Sequence, residues 1–318
     1  VRPILALLVC IGLCACGGEA LPLEMGGCGL GQAIPLPVDV VRQATIVTVT
    51  INQRRARLLL DTGANVTVLN RGSASILGVQ NVTGGGNSVF QAIGGATGAD
   101  RADLQSLTIG GLVVNGLRVA VSSDTLEDGV LGLDVLSRFD VDVDLPNRRV
   151  TLYRGGLCPG DKPPMSGAVL EIPAKRAIMR GTGKSQVVDP YLMVPVSLDG
   201  AVTLGMLDSG ALAGSLVSSA FAAKAGVSDD KLASDPVVTA RGFGTSIPLH
   251  RHQFDKLFIG REVFDKPTLL VGGDSKQLFP VIFGYDYFRS HRVWFNFLAD
   301  RIFVVPVNDE PMLAGEGG

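Results

Sequence analysis

The sequence predicts an all-β protein built from two copies of one β unit. Two observations lead there: a composition rich in turn residues and poor in aromatics, and an ordered internal repeat. The chain has 318 residues, 46% hydrophobic and only 18% charged, enough apolar material for one large core or two modest ones and too much for disorder. Its 41 Gly suit short strands joined by many turns. The formal net charge of -2 and the lack of any long Lys/Arg run exclude the electrostatic footprint of a nucleic-acid binder.

From the N-terminus, Ile4 to Cys16 is apolar and nearly uncharged, preceded by Arg2, the pattern of a secretory signal. The run is too short to span a hydrocarbon core of roughly 30 Å. Leu13-Cys14-Ala15-Cys16 resembles a bacterial lipobox, which predicts residues 1–16 as a lipoprotein-type signal with Cys16 as the lipidated residue. The expected location is the cell envelope or periplasm, with membrane contact through a lipid anchor only. An ordinary cleaved signal is the alternative. Residues 17–32 read as an N-terminal arm. With Cys10, Cys14 and Cys16 assigned to that leader, Cys28 and Cys158 remain for the folded part, either as one disulfide or as two thiols.

The repeat begins with Arg57-Leu-Leu-Leu-Asp61-Thr-Gly-Ala64, which answers Thr203-Leu-Gly-Met-Leu-Asp208-Ser-Gly-Ala211 at an offset of 147. Leu107-Thr-Ile-Gly110 aligns with Leu257-Phe-Ile-Gly260, and Gly129-Val-Leu-Gly132-Leu-Asp134 with Val281-Ile-Phe-Gly284-Tyr-Asp286. Each copy closes on a matching hairpin pattern, Asp144 to Val150 and Asn296 to Ile302. Runs rich in β-branched or alternating apolar residues, 38–51, 56–61, 107–121 and 139–153, are the predicted strands of the first copy. Short helices are expected at 134–138 and 286–290, with a longer one at 218–225. The Pro- and Gly-rich stretch after Gly155 reads as a linker. The resulting division is 33–156 for the first half, 157–185 for the linker, 186–308 for the second half and 309–318 for a tail.

A lone Asp-Thr/Ser-Gly triplet means little, since chance supplies on the order of a few tenths of a match in a Gly-rich chain. Here both triplets end apolar strands and occupy equivalent places in a repeat. On these residues the chain resembles the retropepsin-like aspartic peptidases, with two retropepsin-sized halves in a pepsin-like bilobal layout. The resemblance implies two acid-protease-like β domains facing across a cleft, and an aspartic-type endopeptidase in which Asp61 and Asp208 activate a water between them. It also implies that the hydroxyls of Thr62 and Ser209 tie the two turns together and that Gly63 and Gly210 permit close approach. Val130-Leu-Gly132 and Ile282-Phe-Gly284 match the strand that backs each catalytic turn. Gly-rich flaps over a peptide would be Ile93, Gly94 and Gly95 in the first half and Gly242, Phe243 and Gly244 in the second, although neither shows a pepsin-like flap tyrosine. The implied substrate is a peptide or unfolded protein, the implied active form a monomer, and neither a cofactor nor a metal is required. A non-catalytic peptide-binding envelope lipoprotein on the same bilobal fold is the alternative, and a purely structural envelope protein a third reading.

Physical chemistry supports the pair independently. Two adjacent carboxylates cannot both ionise cheaply, so they share a proton over a wide pH range; the aspartic protease dyad is the standard instance of this effect. Other features are weaker. Gly181-Thr-Gly183-Lys184-Ser185 lacks the first Gly of a phosphate loop, since Ile178 stands there. His250, Arg251 and His252 have no evident third metal ligand and read as a solvated segment. Asp140, Asp142 and Asp144 alternate along one strand and read as an exposed polar face.

Overall fold

The computed structural model describes residues 28–80, 82–92, 95–123, 125–180, 186–241, 246–273, 279–308 and 312. The first copy runs β1 (Ala33–Leu36), β2 (Val38–Val41), β3 (Ala44–Ile51), β4 (Arg54–Leu60), β5 (Val68–Asn70), α1 (Arg71–Ile76), β6 (Thr83–Ala92) and β7 (Gly95–Asp103). It continues through β8 (Ser106–Ile109), β9 (Leu112–Asn115), β10 (Arg118–Ser122), β11 (Gly129–Leu131), α2 (Leu133–Leu136), β12 (Phe139–Asp144) and β13 (Arg149–Arg154). The second copy opens with β14 (Leu170–Pro173), β15 (Lys175–Arg180), β16 (Gln186–Leu198), β17 (Ala201–Leu207), β18 (Leu216–Ser218), α3 (Ser219–Lys224) and α4 (Asp229–Ala233). It ends with β19 (Val237–Arg241), β20 (Ser246–Gln253), β21 (Lys256–Ile259), β22 (Glu262–Asp265), β23 (Thr268–Gly272), β24 (Val281–Phe283), α5 (Tyr285–Phe288), β25 (His291–Asn296) and β26 (Arg301–Pro306).

Local chemistry accounts for the breaks within the long apolar runs. The run 38–51 becomes two strands because Arg42 and Gln43 take φ of 47° and 71°, and the next hairpin turns on Asn52 and Gln53 at 46° and 67°. Two consecutive positive φ values give the tight turn whose twist matches paired strands. The Asn52 side chain then accepts from the amides of Gln105 and Ser106, tying this turn to β8. Asp199 repeats the device by accepting from Asp255 and Lys256. Helix α3 starts where Ser218 caps the amide of Phe221, within the helix expected at 218–225.

Each copy forms one ten-stranded sheet, ordered β6-β7-β10-β5-β11-β4-β3-β8-β9 with β2 on β3, and β19-β20-β23-β18-β24-β17-β16-β21-β22 with β15 on β16. A third sheet of six strands, β1-β13-β12-β25-β26-β14, takes three strands from each copy and joins them. At its centre Asp142 pairs with Trp294, and the pairing runs symmetrically outward from Asp140–Asn296 to Asp144–Arg292. An apolar cluster of Leu157, Trp294 and Phe303 packs beneath the N-terminal arm, with the Tyr153 ring tilted by 33° against Trp294 at 4.5 Å between centroids. Cys28 and Cys158 form a disulfide, fastening the arm to the segment after β13.

Two expectations need correction. The stretch 157–185 is not simply a linker. β14 completes the joining sheet against β26, and β15 pairs Lys175 with Met193 as β2 pairs Asp39 with Ile46. The second copy therefore begins near Leu170, and a longer β15–β16 hairpin shifts its register with the first copy enough to hide the match. Asp140, Asp142 and Asp144 do not form an exposed polar face either. They are 1%, 4% and 1% exposed, because the sheet they belong to is closed by the other copy. Asp140 accepts from the Trp294 indole and the Asn296 amide, Asp142 takes both arms of the Arg292 guanidinium, and Asp144 accepts from Arg149 and Asn147.

Candidate active site

The two triplets are delivered by the central strands of the two large sheets. β4 ends at Leu60 and β17 at Leu207, and the next backbone amide in each, Asp61 and Asp208, donates to Leu131 and Phe283 at 3.1 and 2.8 Å. The chain then turns. Gly63 N–H donates to Asp61 Oδ1 and Gly210 N–H to Asp208 Oδ1, both at 2.8 Å, so each carboxylate is held by its own turn.

The turns are crosslinked reciprocally. Thr62 Oγ1 donates to the Leu207 carbonyl and accepts from Ser209 N–H, while Ser209 Oγ donates to the Leu60 carbonyl and accepts from Thr62 N–H. All four bonds are buried and lie between 2.8 and 3.1 Å. A hydroxyl is needed at both positions because it must donate and accept at once. Glycine is needed next to it: a Cβ on Gly63 would lie 2.2 Å from Asp208 Cγ, and one on Gly210 2.4 Å from Asp61 Cγ.

Asp61 and Asp208 are thus brought together, 9% and 8% exposed, with their carboxyl groups in hydrogen-bonding reach of one another. Burial, with the Asp61 charge added to it, holds the Asp208 carboxyl well above the ordinary carboxylate range. Burial also raises Asp61, against the opposing effect of its hydrogen bonds to Asp208, Gly63 and Ala64. The arrangement can hold one proton between the two carboxyl groups.

Behind each turn lies a layer that the sequence reading did not assign. Thr67 Oγ1 accepts from Gly132 N–H and donates to Asp134 Oδ1 at 2.7 Å; Ser215 Oγ does the same between Gly284 N–H and Asp286. The second oxygens of Asp134 and Asp286 are buried without a partner among the described residues. Burial raises both acids, Asp286 to about 6. The signal was present, since Asp134 and Asp286 both end a repeated landmark. Their hydroxyl partners escaped because Gly214 lengthens the second loop by one residue, so the offset of 147 no longer aligns Thr67 with Ser215. Gly132 and Gly284 back the turns closely; a Cβ there would lie 2.5 Å from the Val66 backbone and 2.3 Å from the Ala211 carbonyl oxygen.

The remaining predicted residues are distributed as follows. Cys16, Ile93, Gly94, Gly242, Phe243 and Gly244 lie outside the described residues, as does the 181–185 segment, while Gly95 opens β7. His252 is not simply solvated: its Nδ1 lies 2.6 Å from Asp235 Oδ2 and its ring stands edge-on to Phe254. Among the described residues no group of three or more His, Cys, Asp or Glu side chains is placed to hold a metal ion.

Comparison with known proteins agrees with this geometry. A family model described as gag-polyprotein putative aspartyl protease matches residues 47–138, and one described as aspartyl protease matches residues 194–287. An aspartic proteinase from Irpex lacteus superposes with a TM-score of 0.51 at 15% identity, covering 88% of this chain and 100% of its own. A retropepsin-like aspartic protease from Rickettsia conorii gives 0.32 at 20% identity, over 39% of this chain and 92% of its own. No curated protein sequence matches. The two family matches fall one on each copy, each spanning its Asp-Thr/Ser-Gly turn and the strand behind it, and the chain therefore belongs to the retropepsin-like aspartyl proteases as a tandem of two such domains in one polypeptide.

Proposed function

We propose that the protein is an aspartic endopeptidase whose catalytic groups are Asp61 and Asp208. The observation that carries this reading is the buried hydroxyl lattice of Thr62 and Ser209, which presents two carboxyl groups from separate sheets to each other. A water between them loses a proton to the ionised carboxylate as its oxygen attacks the scissile carbonyl, whose oxygen accepts a hydrogen bond from the protonated partner. The tetrahedral intermediate collapses as the amine leaves with a proton from the dyad. Both acids come from one chain, so a monomer suffices. The substrate is an extended peptide or unfolded protein bound across the cleft.

The Cys28–Cys158 disulfide supports export to an oxidising compartment, in keeping with the leader-like N-terminus and the lipobox-like Cys16. Replacement of Asp61 or Asp208 by Asn, assayed on an unfolded protein substrate, should lower turnover by about 10²–10⁴-fold, the usual contribution of a positioned acid or base. Cleavage that persists in either variant would overturn the mechanism, and binding without cleavage by the unmodified protein would favour a peptide-binding role.

A further inference from the structure

A surface cavity of about 390 Å³ lies where the two copies meet. The first copy supplies Val40 from β2, and Leu145, Pro146 and Arg148 from the turn between β12 and β13. The second supplies Tyr285 and Arg289 at the two ends of α5, and Asn308 beyond β26. No acidic side chain lines it among the described residues.

The repeat shows what the matching place holds on the other side of the molecule. Ile46 faces Leu59 as Met193 faces Met206, and the residues just before them, Thr45 and Leu192, pair with Val40 and Arg176. Arg176 is therefore the counterpart of Val40. The β12–β13 turn matches the β25–β26 turn, with Asp144 opposite Arg149 as Asn296 is opposite Arg301. Phe297, Leu298 and Asp300 thus stand where the first copy has Leu145, Pro146 and Arg148. Arg148 and Asp300 take φ of 51° and 52°, so the two turns bend alike at that residue. A Cβ on Gly156 would lie 2.9 Å from the Leu298 side chain, so Gly156 approaches the second turn from the position that Asn308 holds beside the first.

At the second turn the Arg176 side chain lies across the matching place. Its Nε donates to Asp300 Oδ1 at 2.6 Å and its Nη2 to the Phe297 carbonyl. At the first turn both partners are changed: Val40 is short and uncharged, and Arg148 reverses the charge of Asp300. Arg148 forms no ion pair among the described residues, and Arg289 follows α5 where Ser137 follows α2. What one side closes with its own ion pair, the other leaves as a cavity with guanidinium groups in its wall and Val40, Leu145 and Pro146 as apolar lining.

We infer that this cavity is a binding site for a carboxylate carried on a short apolar stem, with Arg148 holding the carboxylate and Val40, Leu145 and Pro146 covering the stem. A planar guanidinium matches a carboxylate through two parallel hydrogen bonds. An apolar lining with a few convergent polar groups is the usual make-up of a small-molecule site. The inference is independent of the endopeptidase reading, since neither acid of the dyad takes part.

Calorimetric titration of the unmodified protein tests this with two carboxylates, N-acetyl-leucine for a peptide carboxyl terminus and 4-methylpentanoate for a free acid. At least one should bind saturably, and the tighter of the two names the source. N-acetyl-leucinamide and inorganic phosphate, which lack the charge and the stem respectively, should each bind at least about tenfold more weakly, in line with the strength of charge-assisted hydrogen bonds. Installing the second copy's ion pair, Val40→Arg with Arg148→Asp, should abolish binding in a folded protein, because Asp300 already adopts the backbone conformation required of Asp at 148. Should that double variant fail to fold, Arg148→Asp alone, at an exposed position, should lower affinity by about tenfold or more. No saturable binding of either carboxylate, equal binding of the amide or of phosphate, or affinity unchanged in the folded variant would overturn the inference.

Discussion

Asp286 shows how one side chain serves the fold at an electrostatic cost. Its Oδ1 receives the Ser215 hydroxyl and so holds the strand behind the second Asp-Ser-Gly turn, but burial raises its pKa from 3.8 to about 6. An acid with a folded pKa above its unfolded value stabilises the native state fully below the lower value and loses that contribution as pH rises through the higher one. Stability should therefore decline between pH 3.8 and about 6 on account of this group, by a total on the order of 3 kcal/mol. Asn at this position keeps the acceptor oxygen and cannot ionise. Melting curves recorded from pH 3.5 to 7 should show a shallower decline in Asp286→Asn than in the unmodified protein, and parallel curves would refute the assignment. Asp134 and Thr67 repeat the arrangement behind the first turn.

At the scale of elements, short strands depend on what fastens their ends. β1 contributes only four residues to the joining sheet, and the arm before it is held through Cys28, Gly29 and Gly31, the last two donating to Gly156 and Arg154. The disulfide closes a loop with a sequence separation of 130 residues. Cross-linking a loop of that size restricts the unfolded chain, and removing a native disulfide generally costs about 2–5 kcal/mol. Double replacement of Cys28 and Cys158 by Ser should lower stability by that amount in chemical denaturation. An unchanged midpoint would mean that the arm is already fixed by its backbone bonds. The longer hairpin between β15 and β16 is also an element-scale difference: its pairing extends to Arg180–Gln186 and shifts register between Arg176 and Ile178, where β2 and β3 pair over four regular positions.

At the scale of the whole molecule, the meeting of the two acidic turns depends on two copies keeping one relative position. Two features join them: the crossed hydroxyls at the dyad and the six-stranded sheet below. In that sheet Arg292 of one copy donates both arms to Asp142 of the other at 2.8 and 2.7 Å, with side-chain exposures of 14% and 5%. A nearly buried ion pair adds little relative to an apolar pair, but removing one partner strands the other and costs about 3–5 kcal/mol. Arg292→Leu should destabilise by that amount, and Arg292→Leu combined with Asp142→Leu should recover much of it. A double variant no more stable than the single one would show that the charge pair is not what matters at this junction.

Much of this organisation was legible in residue order. A duplicated apolar strand ending in Asp-Thr/Ser-Gly, followed by a duplicated apolar-apolar-Gly, specifies local chemistry: turns that need a hydroxyl and a glycine, and strands with one face apolar. Such requirements act over a few residues, so they leave marks in sequence. Three things depended on tertiary context. β14 and β15 lie in a Pro- and Gly-rich stretch and become strands only because β26 and β16 offer them edges. Asp140, Asp142 and Asp144 alternate as a solvent-facing strand would, and only the apposition of the second copy buries them against Trp294, Asn296 and Arg292. Thr67 and Ser215 gain their role from hydrogen bonds across 67 and 71 residues to Asp134 and Asp286, a pairing displaced between copies by one inserted glycine. The sequence by itself determined the repeat, the β character and the two acidic turns, because these follow from short-range patterning. Which polar groups are buried and which strands complete the sheets were decided by packing, which brings together residues that no local pattern relates.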